Sequence, residues 1–560
     1  MDVKSYHLNF VNEEYDENGL LRKFSLRYPD NFNFGYDIID KYAELEPDRR
    51  ALMWVDLEGN ERTFTFGDLS RLSNQAANMF LAHGIKKGDC VMLVLKRNYQ
   101  FWYTMIGLMK IGAIGIPATH LLTVKDFIYR FGAAEVTSVI ATHHANVAHY
   151  IDAADMSLNC CLSSKFIVNG DYPGWINFDE ELKKYPDTLE RIPTKADELF
   201  LMYFTSGTTG YPKMAVHDHS YALAHIQTAK HWQNVDPDGI HLTISDTGWA
   251  KAAWGKLYGQ LAMGTCVFVY DFDKFIPENM LAVMEKYKIT TFCAPPTMFR
   301  FFIKAGIGGY DLSSLKYCTI AGEALNPEVY NKWYEFTGIK LMEGFGQSES
   351  TAILANLKGM TPKPGSMGKP TPLYNVELVD AEGHIVPPGE IGEICVRGEY
   401  TRTPGLFRGY YRSAKITDEA WHDGLYHTGD TAWRDEEGYY WYVGRNDDQI
   451  KSSGYRIGPF EIESVLIAHP AVLECAVTGC PDPIRGEVVK ATIVLMKGFE
   501  PSDELVKELQ EYVKKNTAPY KYPRRIEFVD ELPKTISGKI IRAEIRRRDF
   551  ERFAAENSEL

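Results

Sequence analysis

A chain of 560 residues, 45% hydrophobic and 24% charged, has the balance of a soluble globular protein and the length for roughly two to four domains. Its net charge of −14, from 61 Lys plus Arg against 75 Asp plus Glu, argues against a nucleic-acid partner, and no apolar run reaches the roughly 20 residues that cross a bilayer. Nine cysteines without a CxxC pair read as reduced, mostly buried thiols, so neither a disulfide framework nor a zinc site is expected. The opening stretch MDVKSYHLNFVNEEYDENGL is acidic and resembles neither a signal peptide nor an Arg-rich transit peptide, which makes a cytoplasmic location the expectation.

Residues 36 to 190 alternate amphipathic helical runs, such as Phe66 to Ala82, with β-rich runs such as Cys90 to Leu95. That alternation predicts parallel β/α units. Leu201-Met202-Tyr203-Phe204 reads as a buried strand, and the run TSGTTGYPK follows it: Thr205, Ser206, Gly207, Thr208, Thr209, Gly210, Tyr211, Pro212, Lys213. A loop at the carboxyl end of such a strand sits where open α/β sheets bind ligands. Its glycines let backbone N–H groups turn inward, its hydroxyls donate further hydrogen bonds and Lys213 adds positive charge, so polyphosphate is the expected guest. The run is not a Walker A loop, because Gly210 is followed by Tyr211-Pro212-Lys213 and not by Lys-Ser/Thr. His217 and His219 come soon after it without companion ligands, and no metal is assigned to them.

Further on, Thr265 to Tyr270 and Ile289 to Ala294 read as strands, with a helix from Pro277 to Lys288 between them, so a second β/α layer is expected. Between Val376 and Trp441 the pattern changes to short strands and Gly/Pro turns, a small antiparallel β subdomain. Past Gly444-Arg445-Asn446-Asp447-Asp448 a compact α+β segment begins. It has helices from Pro459 to His469 and from Ser502 to Asn516, and strands near Glu474 to Val477 and Val488 to Leu495. The boundary is placed at Asp447, dividing the chain into 1–446 and 447–560, and the last stretch is basic against an acidic whole.

In this order the chain carries TSGTTGYPK; Ala321-Gly322-Glu323-Ala324-Leu325; Glu343-Gly344-Phe345-Gly346-Gln347-Ser348-Glu349; Tyr426-His427-Thr428-Gly429-Asp430; Gly444-Arg445 through Ser453-Gly454-Tyr455-Arg456-Ile457-Gly458; and Pro533-Lys534-Thr535-Ile536-Ser537-Gly538-Lys539. Together these resemble the adenylate-forming superfamily of acyl-CoA synthetases, luciferases and peptide-synthetase adenylation domains, over essentially the whole chain. SDTGWAKAAWGKLYGQ from Ser245, KSSGYRIGPFEIES from Lys451, PDPIRGEVVKA from Pro481 and TAPYKYPRRIEFV from Thr517 place the resemblance nearest the medium-chain acyl-CoA synthetases.

The resemblance implies an α/β fold: a large N-terminal domain of two β/α layers plus a distorted β-barrel, then a small mobile α+β C-terminal domain. It implies a reaction in two halves, in which a carboxylate and MgATP give acyl-adenylate and pyrophosphate, and coenzyme A then displaces AMP. TSGTTGYPK would hold the β- and γ-phosphates. Glu349 would ligate Mg²⁺, with the hydroxyl of Ser348 or Thr208 nearby. The backbone around Gly322, Glu323 and Ala324, and the segment Glu343 to Ser348, would line the adenine pocket. Asp430 would accept hydrogen bonds from both ribose hydroxyls, with Arg445 alongside. Lys539 would bridge the attacking carboxylate and the α-phosphate, Asp447 would be the hinge, and the segment Ser453 to Arg456 would reach the pantetheine tunnel through Gly454. Arg485, Tyr522 and Arg524 would meet the coenzyme A nucleotide, and Trp249, Trp254, Lys256 and Gly344 the acyl chain. The sequence departs from the superfamily pattern in carrying Ser348 for the usual Thr, which keeps the hydroxyl, and Phe345 for the frequent Tyr, which loses a phenolic hydrogen bond.

These expectations make the partners a small carboxylic acid, ATP and coenzyme A, with a homodimer left open. Three alternatives also stay open: an aromatic acid ligase of the benzoate or phenylacetate type, a stand-alone adenylation module loading a carrier protein, and a luciferase-like oxygenase.

Overall fold

The helix Gln100–Ile111 is buried on every side, which is the mark of a helix enclosed between layers rather than lying on a surface. Its neighbours in the largest core cluster come from the inner faces of two different sheets, Val91 and Leu93 from one and Val267 and Val269 from the other. Trp102, fully buried in this helix, donates its indole N–H to the Lys256 carbonyl at 2.6 Å, and truncating such a residue to Ala costs about 3–5 kcal/mol. The computed structural model that gives this fold describes residues 3–205, 211–323, 325–452, 455–482, 486–535 and 539–558.

The first sheet has seven strands, with Cys90–Val94 parallel to Ile114–Pro117 on one side and to Val136–Thr142 on the other. Near-continuous apolar strands of this kind belong to parallel sheets covered on both faces. Helices Val124–Ala134 and Val147–Ser157 pack on its far face through Phe127, Phe131 and Ile151. The second sheet has nine strands, and its parallel run places Ile240–Thr243 between Cys266–Asp271 and Thr291–Ala294, followed by Tyr317–Ile320 and Leu341–Phe345. Helices Pro277–Lys286, Pro296–Ala305 and Pro327–Thr337 cover its outer face. The amphipathic helix Phe66–Ala82 starts where Thr65 and Asp68 cap one another, Thr65 Oγ1 accepting from the Asp68 N–H at 3.1 Å and Asp68 Oδ2 from the Thr65 N–H at 2.9 Å.

Two five-stranded sheets follow, in addition to a two-stranded sheet near the N-terminus. Asn375–Val379, Ile391–Arg397, Trp421–His422, Leu425–Arg434 and Tyr440–Arg445 form an antiparallel five-stranded sheet around Leu378, Ile394 and Tyr426. Beyond the short turn Asn446–Asp448, a second five-stranded sheet packs against helices Pro459–Ile467 and Asp503–Asn516, and helix Arg542–Ser558 closes the chain. The fold class expected from the motifs is therefore the one observed.

Two features differ from a simple parallel β/α reading. Leu199–Thr205 is parallel to Ile114–Pro117, but the chain beyond TSGTTGYPK returns as the antiparallel strand Lys213–Asp218, which pairs with Leu199–Thr205 at the edge of the sheet. The N-terminal segment is also built into the body. The hairpin of Val11–Tyr15 and Leu21–Leu26 sets Glu13 against Lys230 and His231 at 2.6 and 2.7 Å.

The C-terminal sheet and its helices rest on the larger part through close contacts. Asn326 Nδ2 donates to the Ser464 carbonyl at 2.9 Å, the Tyr442 and Phe460 rings lie 5.9 Å apart, and a methyl group on Gly458 would stand 2.5 Å from the Val443 carbonyl and Cγ1. Gly458→Ala must therefore push Pro459–Ile467 away from Tyr440–Arg445. Limited proteolysis of that variant is expected to cut near Asn446–Asp448 several times faster than in the native chain, with the main melting transition unmoved. An unchanged cleavage rate would show that the contact does not hold the two parts together.

Candidate active site

A buried carboxylate at the end of the antiparallel sheet organises the site. Asp430 is 6% exposed, and its oxygens accept from Gln347 Nε2 at 2.5 Å and from the Tyr442 hydroxyl at 3.0 Å. Arg445 lies opposite it across the strand pair, with Nη1 at 3.7 Å from Oδ2 and at 3.2 Å from the Thr428 carbonyl that it also serves. Burial pushes the Asp430 carboxyl above its ordinary range, opposed first by Arg445, then by Tyr442 and Gln347, and by Lys539 from the C-terminal part of the chain. The charge of Lys539 thus falls on the same carboxylate as groups from the large domain. A carboxylate offers about four lone-pair positions, so these two hydrogen bonds leave acceptor capacity on each oxygen.

Gln347 links this corner to the segment Glu343 to Glu349. Its amide also donates to the Thr428 carbonyl at 2.8 Å, and its oxygen accepts from the Tyr426 hydroxyl at 2.5 Å. Two residues on, Glu349 is buried, and its Oε1 accepts from the Tyr410 hydroxyl at 3.0 Å. Burial raises the Glu349 carboxyl above its usual value, against the Tyr410 hydrogen bond and the more distant charges of Lys213 and Arg445. Lys213 Nζ stands 5.0 Å over the face of the same Tyr410 ring, which therefore touches both the loop lysine and the acidic group. A desolvated oxygen donor with incomplete charge compensation suits a small hard cation such as Mg²⁺. His217 Nε2 donates to the Ser348 carbonyl at 2.8 Å, and burial drives the pKa of this imidazole down to about 3, which keeps it a neutral brace for the segment.

Gly344 and Gly346 are small because tryptophans occupy the space in front of them. A methyl on Gly344 would stand 2.7 Å from Trp232, and one on Gly346 would stand 2.4 Å from Trp254. The two indoles meet edge to face at 5.9 Å, and Trp232 donates to the Met342 carbonyl at 3.0 Å. Trp254 is thus at this wall, whereas Trp249 is half-buried at the start of helix Lys251–Gly255. The buried Lys256 ammonium has Arg97, Asp246 and Asp271 as charged neighbours, and burial lowers it to about 7. Phe345 faces Tyr442 at 6.4 Å, so a phenol is present next to the ring that lacks one.

Near the expected adenine pocket, Gly322 has a φ of +102°, Lys251 Nζ donates to the Ala321 carbonyl at 2.7 Å and Glu323 accepts from the Thr297 hydroxyl at 2.6 Å. Glu343 is 2% exposed, accepts from the Leu325 N–H at 3.3 Å through Oε1, and has no partner for Oε2 among the described residues. On the C-terminal part, the Arg524 guanidinium donates to the Tyr522 hydroxyl at 2.7 Å and lies 4.8 Å over its ring, with Lys514 at 4.4 Å from the ring centre. A cleft of about 510 Å³ beside them is lined by Lys490, Arg524, Arg525 and Arg552 together with Asp503, Glu527 and Asp549; Lys490 is ion-paired to Glu527 and Asp549, and Arg552 to Glu527. Asp447 lies in the turn between the two parts, 3.5 Å from Arg445 Nε, and Tyr455 and Arg456 open the strand Tyr455–Ile457. Ser206, Gly207, Thr208, Thr209, Gly210, Ala324, Ser453, Gly454 and Arg485 lie outside the described residues, and Thr205 ends the strand that leads into the loop.

Tyr410 and Tyr442 have no signal in the sequence, and Tyr426, although part of its motif, is given no role by it. Strand alternation alone would set Tyr442 and Arg445 on opposite faces, but the register with Leu425–Arg434 shifts at Thr431/Ala432, leaving Val443 as an extra residue that brings both toward Asp430.

A buried carboxylate held by an amide, a phenol and a guanidinium of the large part, and reached at longer range by the charge of a lysine of the small part, fits an enzyme that handles a nucleotide. Residues 39–411 match the family described as AMP-binding enzyme, and residues 461–539 match the AMP-binding enzyme C-terminal domain. The chain is 40% identical over 551 residues to human acyl-coenzyme A synthetase ACSM3, covering 97% of this chain and 93% of that protein. It is 43% identical over 535 residues to rat acyl-coenzyme A synthetase ACSM5, covering 94% and 92%; both relatives are named as mitochondrial. Among solved structures, the anthranilate CoA ligase AuaEII in complex with anthranoyl-AMP superposes with a TM-score of 0.86 at 30% identity, covering 94% of this chain and 99% of that one. The chain therefore belongs to the AMP-binding enzyme family, among its acyl-CoA synthetases, and the resemblance drawn from the motifs holds. It is an AMP-forming acid–thiol ligase whose substrates are a carboxylic acid, ATP and coenzyme A, with Mg²⁺ as cofactor.

Glu343 supplies a pH test of the site. Its carboxyl is pushed by burial from 4.5 up to about 8, so the folded chain keeps a proton that the unfolded chain has lost, and stability falls as pH rises through that window. Glu343→Gln, an isostere of the neutral acid, is expected to flatten this fall and to melt higher than the native chain above pH 8. Parallel melting profiles from pH 5 to 9 would show that the carboxyl is not held protonated.

Proposed function

We propose that the chain activates a medium-chain carboxylic acid, straight or branched, and that Lys539 performs the first half-reaction. The observation that carries the reading is that Lys539, from beyond the Asn446–Asp448 turn, lies within range for its charge to favour the ionised form of Asp430, at longer range than Arg445. Joining a carboxylate to a phosphate brings anions together, so a cation placed at that point acts mainly on the transition state. Lys213 and the loop that it follows would hold the departing phosphates, and Asp430 with Arg445 would hold the ribose. Mg²⁺, when bound at Glu349, would neutralise charge on the phosphate oxygens. Tyr410 would orient Glu349, and Gln347 would keep the segment Glu343 to Glu349 in register with Asp430.

The second half-reaction follows from the division into 1–446 and 447–560 with Asp447 as hinge. Turning the small domain would withdraw Lys539 and present Gly454 to the pantetheine arm, with Tyr522, Arg524 and Arg485 toward the nucleotide of coenzyme A. The medium-chain assignment is supported by the relationship to the acyl-CoA synthetases over nearly the whole chain. An aromatic acid is the second reading. It is favoured by the paired indoles at Gly344 and Gly346 and by the solved ligases for anthranilate and, at 27% identity and a TM-score of 0.81, for benzoate from Burkholderia xenovorans LB400. A cytoplasmic location remains our reading, against relatives named as mitochondrial; fractionation of cells decides between them.

Lys539→Ala is expected to abolish adenylate formation, read as acid-dependent pyrophosphate exchange, while thioester formation from supplied acyl-adenylate stays largely intact. Equal loss of both would overturn the two-position account. In the native enzyme, coenzyme A-dependent AMP release should peak among acids of about four to eight carbons; a maximum with benzoate or phenylacetate would move the assignment to the aromatic ligases, and exchange without thioester would point to a carrier protein.

A further inference from the structure

On the strands beside Asp430, a second set of donor atoms converges that the ligase reaction does not use. Cys395 and His427 face one another across the pair Ile391–Arg397 and Leu425–Arg434, and Glu393 lies two residues before the cysteine on the same face. Cys395 Sγ is 3.4 Å from His427 Nδ1, which is 3.2 Å from Glu393 Oε2, and all three donor atoms fit within 4.8 Å of one another. The pairing is irregular here, with Thr431 opposite Glu393 and His427 opposite Cys395, so three residues, Thr428 to Asp430, bulge out where the partner strand has one. The bulge turns the Gly429 N–H onto Glu393 Oε1 at 2.7 Å, which aims the other carboxylate oxygen at the ring and the sulfur.

The separations of 3.4 Å and 3.2 Å from His427 Nδ1 are close to those between donor atoms on one metal ion. A tetrahedral zinc with about 2.3 Å to sulfur and about 2.0 to 2.1 Å to nitrogen and oxygen sets its donor atoms roughly 3.3 to 3.6 Å apart. A plain Glu–His hydrogen bond would not require a fully buried thiol at the same nitrogen. The His427 and Glu393 side chains keep 14% and 18% exposure, and the His422 ring stacks on His427 at 3.7 Å, so the set is sheltered yet open to an ion from solvent.

We propose that Glu393, Cys395 and His427 form a site for a thiophilic divalent cation of the zinc class, separate from the Mg²⁺ position at Glu349. The mixed sulfur, nitrogen and oxygen donors favour such an ion over Mg²⁺ or Ca²⁺, and three protein ligands leave a fourth position for water. On binding, the Cys395 thiol gives its proton to solvent and the His427 proton moves from Nδ1 to Nε2, with no electron transferred. His427 Nε2 is buried without a hydrogen-bond partner among the described residues, and that cost is carried with or without the ion.

The test uses the full chain carrying Cys160→Ser and Cys161→Ser, because those two exposed thiols would themselves take up metal. Stripped with a chelator and titrated with Co²⁺, it should bind one equivalent, with a thiolate-to-cobalt charge-transfer band and the intense visible bands of a tetrahedral centre, both removed by Zn²⁺. Adding Cys395→Ser should abolish the charge-transfer band, and adding His427→Gln should weaken binding by at least about tenfold, with circular dichroism unchanged. If Cys395→Ser fails to fold, loss of the tetrahedral bands in His427→Gln decides the matter. Pale octahedral spectra only, or full-strength bands in these variants, would overturn the proposal.

Discussion

The burial of the Asp430 carboxylate is the constraint on which the candidate site depends. A charge taken out of water must be met by donors and a counter-charge, and here they come from separate stretches of chain: Gln347, Tyr442 and Arg445 from the large part and Lys539 at longer range from the small one. Meeting that need fixes where the segment Glu343 to Glu349 runs, how Leu425–Arg434 pairs with Tyr440–Arg445, and on which side the C-terminal part comes to rest. The strand bulges that look like irregularities are what let these groups arrive together.

Three carboxylates of the site are buried, and each is tolerated differently. Asp430 has an arginine across the strand. Glu349 has a tyrosine hydroxyl and only distant positive charge, which leaves it suited to a bound cation. Glu343 has a single backbone N–H and keeps its proton. Burial raises all three, and hydrogen bonding and counter-charge oppose it to different degrees, least at Glu343.

Where a local signal decides the outcome, the sequence is easily read. Phe66 to Ala82 has helical periodicity and a capping pair, and it forms a helix over those residues. Cys90 to Leu95 is a continuous apolar run and becomes a central strand ending at Val94. Motif order is equally legible, which is why Glu349, Gln347, Asp430, Arg445 and Lys539 could be singled out before any coordinates. Register is not local. One extra residue at Val443 places Tyr442 with Asp430, and three residues in a bulge join His427 to Glu393 and Cys395, whose spacing of 32 residues between cysteine and histidine matches no metal motif. The antiparallel return after TSGTTGYPK was hidden for the same reason, since pairing direction depends on what lies beside the strand.

The contact between Gly458 and Val443 bears on how the enzyme can turn over. With no room for even a methyl group between them, the two parts cannot slide past one another while touching. A small domain that changes position between half-reactions has to lift off before it rotates. Were the small domain to turn about Asp447 as proposed, the acyl-adenylate would sit in that interval in a pocket without its cover, and water would compete with coenzyme A for the activated carbonyl. Wasted ATP, counted as AMP formed without thioester, is then set by how long the lifted state lasts and not by the chemistry of either half-reaction.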